Sequence, residues 1–239
     1  MNKSTLWNTY APSDPIDEKQ LGYLMNFLLK HAEQFIAFEK LHHDPVTAGV
    51  HVMAHCLEHG LQKHFRATYL RTHKAHTAAP NRDAEWHLKA WRLSDAQMHY
   101  FYASKSRRPD PSISHTAAYL DAFYFEKKLE MSSELLNLNQ ILQEKLPTDF
   151  IPDLLAFLDT HPPKAPSVRI RRLVLNILLD PTDTASFRAL RDMLPETLTL
   201  FEPEKIKGIF AYAQNYCIRR IKAGDTTFQR ELFSIYQES

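Results

Sequence analysis

Apolar residues recur along the first half of this chain at intervals of three and four, the spacing of one face of an α-helix. Between residues 16 and 43 they are Leu21, Leu24, Phe27, Leu28, Phe35, Phe38 and Leu41, and we predict a break near His31. The same spacing predicts helices over Val46–His59, Leu61–His76, Arg82–Ala103 and Ser114–Leu146. In the last of these, Ser132 and Ser133 predict a second break.

The second half of the chain shows the same pattern in shorter units. Its apolar series predict five helices, which start near Ile151, Ile170, Phe187, Ile206 and Phe228. Pro166 and Pro203 open comparable helices about 37 residues apart, a period found in helical solenoids. Successive helices with short loops are typical of antiparallel pairs. We therefore predict stacked antiparallel helical hairpins, an α-α superhelix of tetratricopeptide-like type, after a less regular N-terminal helical bundle.

Helix-start signals and a low glycine content favour an all-α fold. Asp14-Pro15 and Asp44-Pro45 each place a capping carboxylate before a proline at the first helical position. Only 5 of the 239 residues are glycine, well below the roughly 7% of an average chain. A β-rich fold of this size would need many more glycine turns. Hydrophobic residues make up 44% and charged residues 24%, as in a globular protein.

The proline-containing segment 104–112 is the candidate boundary between two regions. We predict an N-terminal helical region over residues 1–110 and a helical-repeat region over residues 111–239, continuous with the first. The sequence ends at Ser239, inside what the pattern predicts as the second helix of a pair. We therefore expect a truncated form or the N-terminal half of a longer protein.

The cysteines and the apolar stretches predict the cellular setting. Cys56 and Cys217 lie in apolar helical patterns, so we expect buried free thiols. The first residues lack the apolar core of a signal peptide, and no apolar stretch reaches the ~18 residues of a spanning helix. We expect a cytoplasmic protein that does not insert into membranes.

Three stretches resemble an uncharacterised family of bacterial α-helical proteins with tetratricopeptide-like repeats. They are PNRDAEWHLKAWRLSDAQMHYF (Pro80–Phe101), YLDAFYFEKKLEMSSELLNLNQIL (Tyr119–Leu142) and NYCIRRIKAG (Asn215–Gly224), the last being the most specific. The resemblance covers about residues 80 to 239. It implies an all-α fold with repeat character and implies no activity.

Histidines on one predicted helix form the main candidate for chemistry. His51, His55 and His59 recur every four residues, and an i, i+4 pair can chelate a transition metal. A metal-dependent enzyme is therefore one alternative, and a solvent-facing polar stripe is the other interpretation. Glu39 and His42 match one half of a di-iron motif without a second match. His43-Asp44 could hold a metal, but helix capping already explains Asp44.

Residues 61–108 form a basic segment interleaved with aromatic residues. It carries ten Lys or Arg and three acidic residues, although the whole chain has a net charge of only +1. Its cations are Lys63, Arg66, Arg71, Lys74, Arg82, Lys89, Arg92, Lys105, Arg107 and Arg108. Its aromatics are Phe65, Tyr69, Trp86, Trp91, Tyr100, Phe101 and Tyr102. These are the ingredients of a single-stranded nucleic-acid groove, or equally of a solvated basic face over a core. A nucleic-acid-binding adaptor is therefore a second alternative.

No nucleophile elbow, Walker loop or dinucleotide glycine pattern occurs in the sequence. We therefore predict no catalytic, cofactor-binding or metal-binding residue and no cofactor. The function that we expect is a non-catalytic scaffold for protein–protein interaction with an unknown protein partner, since stacked helical repeats bind through extended surfaces.

Overall fold

The computed structural model describes residues 17–104, 115–142 and 146–238. Over these residues the chain forms ten α-helices and no β-strand, which confirms the all-α prediction. The helices are α1 (Glu18–His42), α2 (Pro45–Glu58), α3 (Gln62–Ala78), α4 (Ala84–Ala103), α5 (Thr116–Leu142), α6 (Phe150–Thr160), α7 (Pro166–Leu179), α8 (Thr184–Leu200), α9 (Pro203–Lys222) and α10 (Phe228–Glu238).

Several helices begin where the sequence predicts. A proline opens each of three helices, at Pro45, Pro166 and Pro203. The Asp44 carboxylate accepts a hydrogen bond from the Thr47 amide at 3.1 Å. The predicted cap at Asp14-Pro15 lies outside the described residues. The capping carboxylate of α1 is that of Asp17.

Two helices end next to glycines in the left-handed region, where a side chain would be strained. Gly60 follows α2 with φ 67°, and Gly224 follows α9 with φ 97°.

Both predicted helix breaks were wrong. Helix α1 runs without interruption for 25 residues past His31, and α5 runs for 27 residues past the serine pair. The Ser132 hydroxyl donates to the Lys128 carbonyl at 2.6 Å, and the Ser133 hydroxyl donates to the Leu129 carbonyl at 3.0 Å. Because both hydroxyls bond within the helix, they do not compete with its backbone hydrogen bonds.

Neighbouring helices pack against one another in antiparallel pairs. Helix α2 packs on α3, α4 on α5, α7 on α8, α8 on α9 and α9 on α10. Helix α5 also packs on α7. The superhelical course of these pairs stays a prediction.

The interior of the described structure contains three apolar clusters. The largest joins α7, α8, α9 and α10 around Phe187, Phe210 and Tyr216. A second joins α2, α3 and α4 around Met53 and Phe65. In the third, α6 contributes Ile151, Leu154 and Leu158 against α5 and α7. The predicted boundary near residue 110 lies outside the described residues, and α4 packs on α5 across it.

Candidate functional site

Helix α1 is the least covered element of the described structure. Only Leu21 is buried among its residues, and α1 packs on α2 near the turn at residues 43–44. No helix in the described part of the chain is long and apolar enough to cross a membrane. Most of helix α1, which is ~37 Å long at 1.5 Å per residue, is therefore left exposed by the described residues.

The apolar residues of α1 share one broad face. At 100° per residue they fall within about 200° of the helix circumference. We define the α1 face as Leu24, Met25, Phe27, Leu28, Leu29, Phe35, Ile36 and Phe38. Phe27, Phe35 and Phe38 are 58%, 63% and 64% exposed. The sequence pattern predicts the helix correctly, but this apolar side faces away from the core.

The area of the α1 face sets it apart from an ordinary surface. An aromatic side chain can bury roughly 150–250 Å², so each half-exposed or more exposed member presents on the order of 100 Å². Seven such side chains, all members of the α1 face except the partly buried Leu24, give an apolar patch on the order of 700 Å². This is above the roughly 300–600 Å² of the largest patch on a typical monomer. A patch of this size is typical of an interaction site.

Helix α1 carries three lysines and three glutamates, but they are unevenly placed around it. At about 100° per residue the three lysines and Glu33 lie opposite the α1 face, whereas Glu18 and Glu39 fall within its arc. The polar side of α1 therefore carries an excess of lysine, as lipid-binding amphipathic helices also do. The choice between a protein partner and a lipid surface rests on the spacing of the apolar residues.

The three predicted histidines of α2 do not form one group. The possible ligand atoms of His55, Glu58 and His59 lie within 4.8 Å of one another, and all three side chains are exposed. The two imidazole rings are 4.1 Å apart, and His59 Nδ1 bonds the His55 carbonyl at 3.0 Å. His51 lies outside this group, one turn away, and lines a groove beside Trp91. Metal binding stays an untested alternative, for which the structure brings together His55 and His59 with Glu58 and leaves His51 apart.

Of the seven aromatic residues of the basic segment, two are buried, four are partly buried and one is exposed. Phe65 is 1% exposed and Tyr100 is 7% exposed, and their rings stack at 4.5 Å. Trp86 is half-buried, and the centres of its ring and the His76 ring lie 4.4 Å apart. The Arg82 guanidinium lies 4.7 Å from the centre of the Trp86 ring. The Phe65, Tyr100 and Trp86 rings are therefore engaged by the protein itself, whereas Tyr102 is 66% exposed and open to stacking.

Some of the cations in the segment have structural partners, and others face solvent. The Arg66 Nε donates to the Tyr100 hydroxyl at 2.7 Å, and Lys89 pairs with Asp44 at 2.9 Å. Burial alone would raise the pKa of Asp44, but the hydrogen bonds from Lys89 and Thr47 outweigh it and hold the pKa below its usual value. Helix α3 contains no acidic residue and exposes Lys63, Arg71 and Lys74. Lys105, Arg107 and Arg108 lie outside the described residues.

Comparisons with protein-family models, with curated proteins and with solved structures found no match. They identify no family for this chain. The resemblance to bacterial helical-repeat proteins therefore stays a prediction, and the structure establishes an all-helical protein.

A buried polar junction joins the two predicted regions and escaped the sequence analysis. The Lys205 Nζ of α9 donates to the Asp83 carboxylate at the start of α4, at 2.6 Å. The Arg82 amide donates to the Leu200 carbonyl at 2.9 Å, and Arg171 pairs with Glu130 at 2.6 Å. Burial opposes the charge on Lys205, but the pairing with Asp83 outweighs it and raises the pKa of this lysine.

Glu126 of α5 is the unusual member of this junction. Its side chain is 1% exposed, and neither oxygen has a hydrogen-bond partner among the described residues. Burial raises the pKa of Glu126 to about 7, and the nearby Asp83 adds to this effect. The pKa of Glu126 is lowered in part by Ser167, the Ala84 amide and Arg171. None of these three groups forms a well-aligned hydrogen bond with the Glu126 carboxyl group. No motif in the sequence marks Glu126, because its environment is assembled from helices far apart in the chain.

The cysteines lie as the sequence predicts. Both Cys56 and Cys217 are free and buried. Burial raises the pKa of the Cys217 thiol to about 12. A thiol in this state is a poor nucleophile, because the thiolate is the reactive form.

Proposed function

We propose that this protein is a non-catalytic scaffold for protein–protein interaction, and that the α1 face joins it to a second copy of itself. The observation that carries the proposal is an apolar helix face on the order of 700 Å² that residues 17–104, 115–142 and 146–238 leave uncovered. A stable interface buries about 800 Å² on each partner. The α1 face is close to this size without any contribution from neighbouring helices.

The spacing within α1 favours a second helix of the same kind. Leu24, Leu28, His31, Phe35 and Phe38 follow one another at intervals of four and three. This is the seam of a coiled coil, in which side chains of one helix insert between those of the other. An identical α1 supplies a matching seam on every copy, and a two-fold dimer is the most frequent form of homo-oligomer.

The antiparallel pairing of the remaining helices is consistent with a scaffold. In the proposed dimer, each surface of these helices is present twice. Stacked helical pairs offer extended faces and need no catalytic residue. The tetratricopeptide-like superhelix belongs to this proposal. The unknown partner of the scaffold would then bind a dimer.

Sedimentation equilibrium between 1 and 100 µM tests this function. We expect a reversible dimer for the native protein. The double substitution Leu28→Glu with Phe35→Glu places charges in the seam and should weaken the dimer at least 100-fold. Ala37→Glu adds the same charge on the polar side of α1 and serves as the matched control, which should dimerise as the native protein does.

Two results would overturn the proposal. One is a native protein that stays monomeric at 100 µM. The other is a dimer that the double substitution leaves intact. Flotation with vesicles containing phosphatidylglycerol tests the rival occupant. If the protein is monomeric in solution and binds the vesicles, the α1 face binds a lipid surface and not a second copy of the chain.

A further inference from the structure

We infer that the cavity between α5, α6 and α7 binds a small aromatic zwitterion of the α-amino-acid class. The cavity has a volume of about 640 Å³, within the roughly 300–1,000 Å³ of small-molecule sites. This inference does not depend on the α1 face, which involves other residues.

One wall of the cavity is a stack of three rings. The Phe125 and Phe157 rings lie 5.3 Å apart with an interplanar angle of 25°. The Phe157 and His161 rings lie 4.5 Å apart with an angle of 15°. Although Phe157 stands in the middle of this stack, it is 46% exposed. A planar aromatic ligand can extend the stack, because rings attract one another in offset or edge-on arrangements.

His87 of α4 lines the same cavity and lacks polar partners. The residue is 8% exposed, and both ring nitrogens are buried without a hydrogen bond among the described residues. Burial lowers the pKa of His87 to about 4, Asp83 raises it and Arg82 lowers it further. The neutral ring offers one donor and one acceptor. Because neither nitrogen is open to the cavity, His87 contributes to its wall without a hydrogen bond to the ligand.

The cavity rim carries two exposed charges of opposite sign. Asp121 lies on α5, and Lys164 lies in the segment between α6 and α7. Neither forms an ion pair with another described residue. An aromatic amino acid supplies the matching set: a ring for the three-ring wall, a carboxylate for Lys164 and an ammonium group for Asp121. Because the rim carries one charge of each sign, a zwitterion can pair with both residues, whereas an aromatic acid or an aromatic amine can pair with only one.

The test uses saturation-transfer NMR and calorimetry with three probes: L-tryptophan, indole-3-propionate and tryptamine. We expect all three to bind, with L-tryptophan the tightest. Lys164→Gln should weaken L-tryptophan binding about 1.5- to 5-fold, the range of an exposed ion pair, and leave tryptamine binding unchanged. Asp121→Asn should weaken L-tryptophan and tryptamine and leave indole-3-propionate unchanged.

A pair of alanines on α5 provides the control for position. Ala118 lines the cavity and Ala117 does not, although both are exposed. Ala118→Phe should abolish binding of all three probes, whereas Ala117→Phe should bind them as the native protein does. The inference is overturned if no probe shows saturable binding at 5 mM, if Ala118→Phe binds normally, if Ala117→Phe loses binding as well, or if L-tryptophan binds no tighter than the two single-charge probes.

Discussion

Replacing Glu126 by glutamine should make the protein more stable at alkaline pH. The substitution keeps the shape of the side chain and removes its charge. Because the pKa of Glu126 is raised to about 7 from the ordinary value of 4.5, the folded protein retains a proton that the unfolded chain releases. Between pH 4.5 and 7 the unfolded state therefore binds fewer protons, and the free energy of unfolding falls as the pH rises.

The size of this effect follows from the two pKa values. The difference between about 7 and 4.5, at roughly 1.36 kcal/mol per pH unit, corresponds to about 3 kcal/mol above pH 7. Below pH 4.5 Glu126 is neutral in both states and contributes no such penalty. For a chain of this length about 3 kcal/mol corresponds to a rise of about 6–12 °C in Tm.

Thermal and urea unfolding followed by circular dichroism at pH 4.5, 6, 7 and 8.5 measure this effect. Glu126→Gln should match the native protein at pH 4.5 and exceed its stability increasingly up to pH 8.5. Glu134→Gln removes a carboxylate from an exposed position on the same helix and is the matched control. If the difference in free energy of unfolding between Glu126→Gln and the native protein does not change with pH, the argument from burial is refuted.

Three further predictions concern packing and thiol chemistry. Asp83→Ala removes the cap of α4 and the partner of Lys205 on α9, so it should lower the free energy of unfolding by about 3 kcal/mol. In urea titrations Asp83→Asn should recover part of this loss. An alanine variant as stable as the native protein would contradict the role of the junction. Gly49→Ala should cost about 1–3 kcal/mol, because the new Cβ would lie 2.9 Å from the Thr72 Cβ and closer still to both branches of that side chain. Gly208→Ala, which meets nothing within 4 Å, should instead stabilise its helix by about 0.5–1 kcal/mol, and equal effects of the two in thermal unfolding would refute the packing argument. Cys217 should not react with Ellman's reagent in the native protein and should react fully in urea, so rapid native labelling at this position would be inconsistent with its burial.

Much of the fold follows from local signals in the sequence. Pro166 and Pro203 open helices because a proline fits the first turn, where its missing amide is not needed. Gly60 and Gly224 end helices because they adopt positive φ at little cost. The serine pair of α5 misled the prediction, since serine can either break a helix or bond back into it, and only the structure shows which.

The candidate sites depend on contacts that no local pattern shows. The apolar spacing of α1 predicts a helix, but whether Phe35 meets a core or solvent depends on where α2 turns the chain. Asp83 and Lys205 are 122 positions apart, and Glu126 is unusual only because residues of α4 and α7 surround it. The histidine pattern on α2 was informative in part, since two of its three members come together with a glutamate outside the pattern.

The distance between two α1 helices is the measurement that tests the scaffold proposal most directly. Ala37→Cys places one exposed thiol on the polar side of α1, while both native cysteines are buried. With a spin label at this position, pulsed electron resonance at 100 µM should show a distance between copies of ~20–40 Å, because paired helices lie about 8–10 Å apart. The signal should vanish when Leu28→Glu and Phe35→Glu are added. Absence of any distance between copies, or a distance that survives both substitutions, would contradict the account.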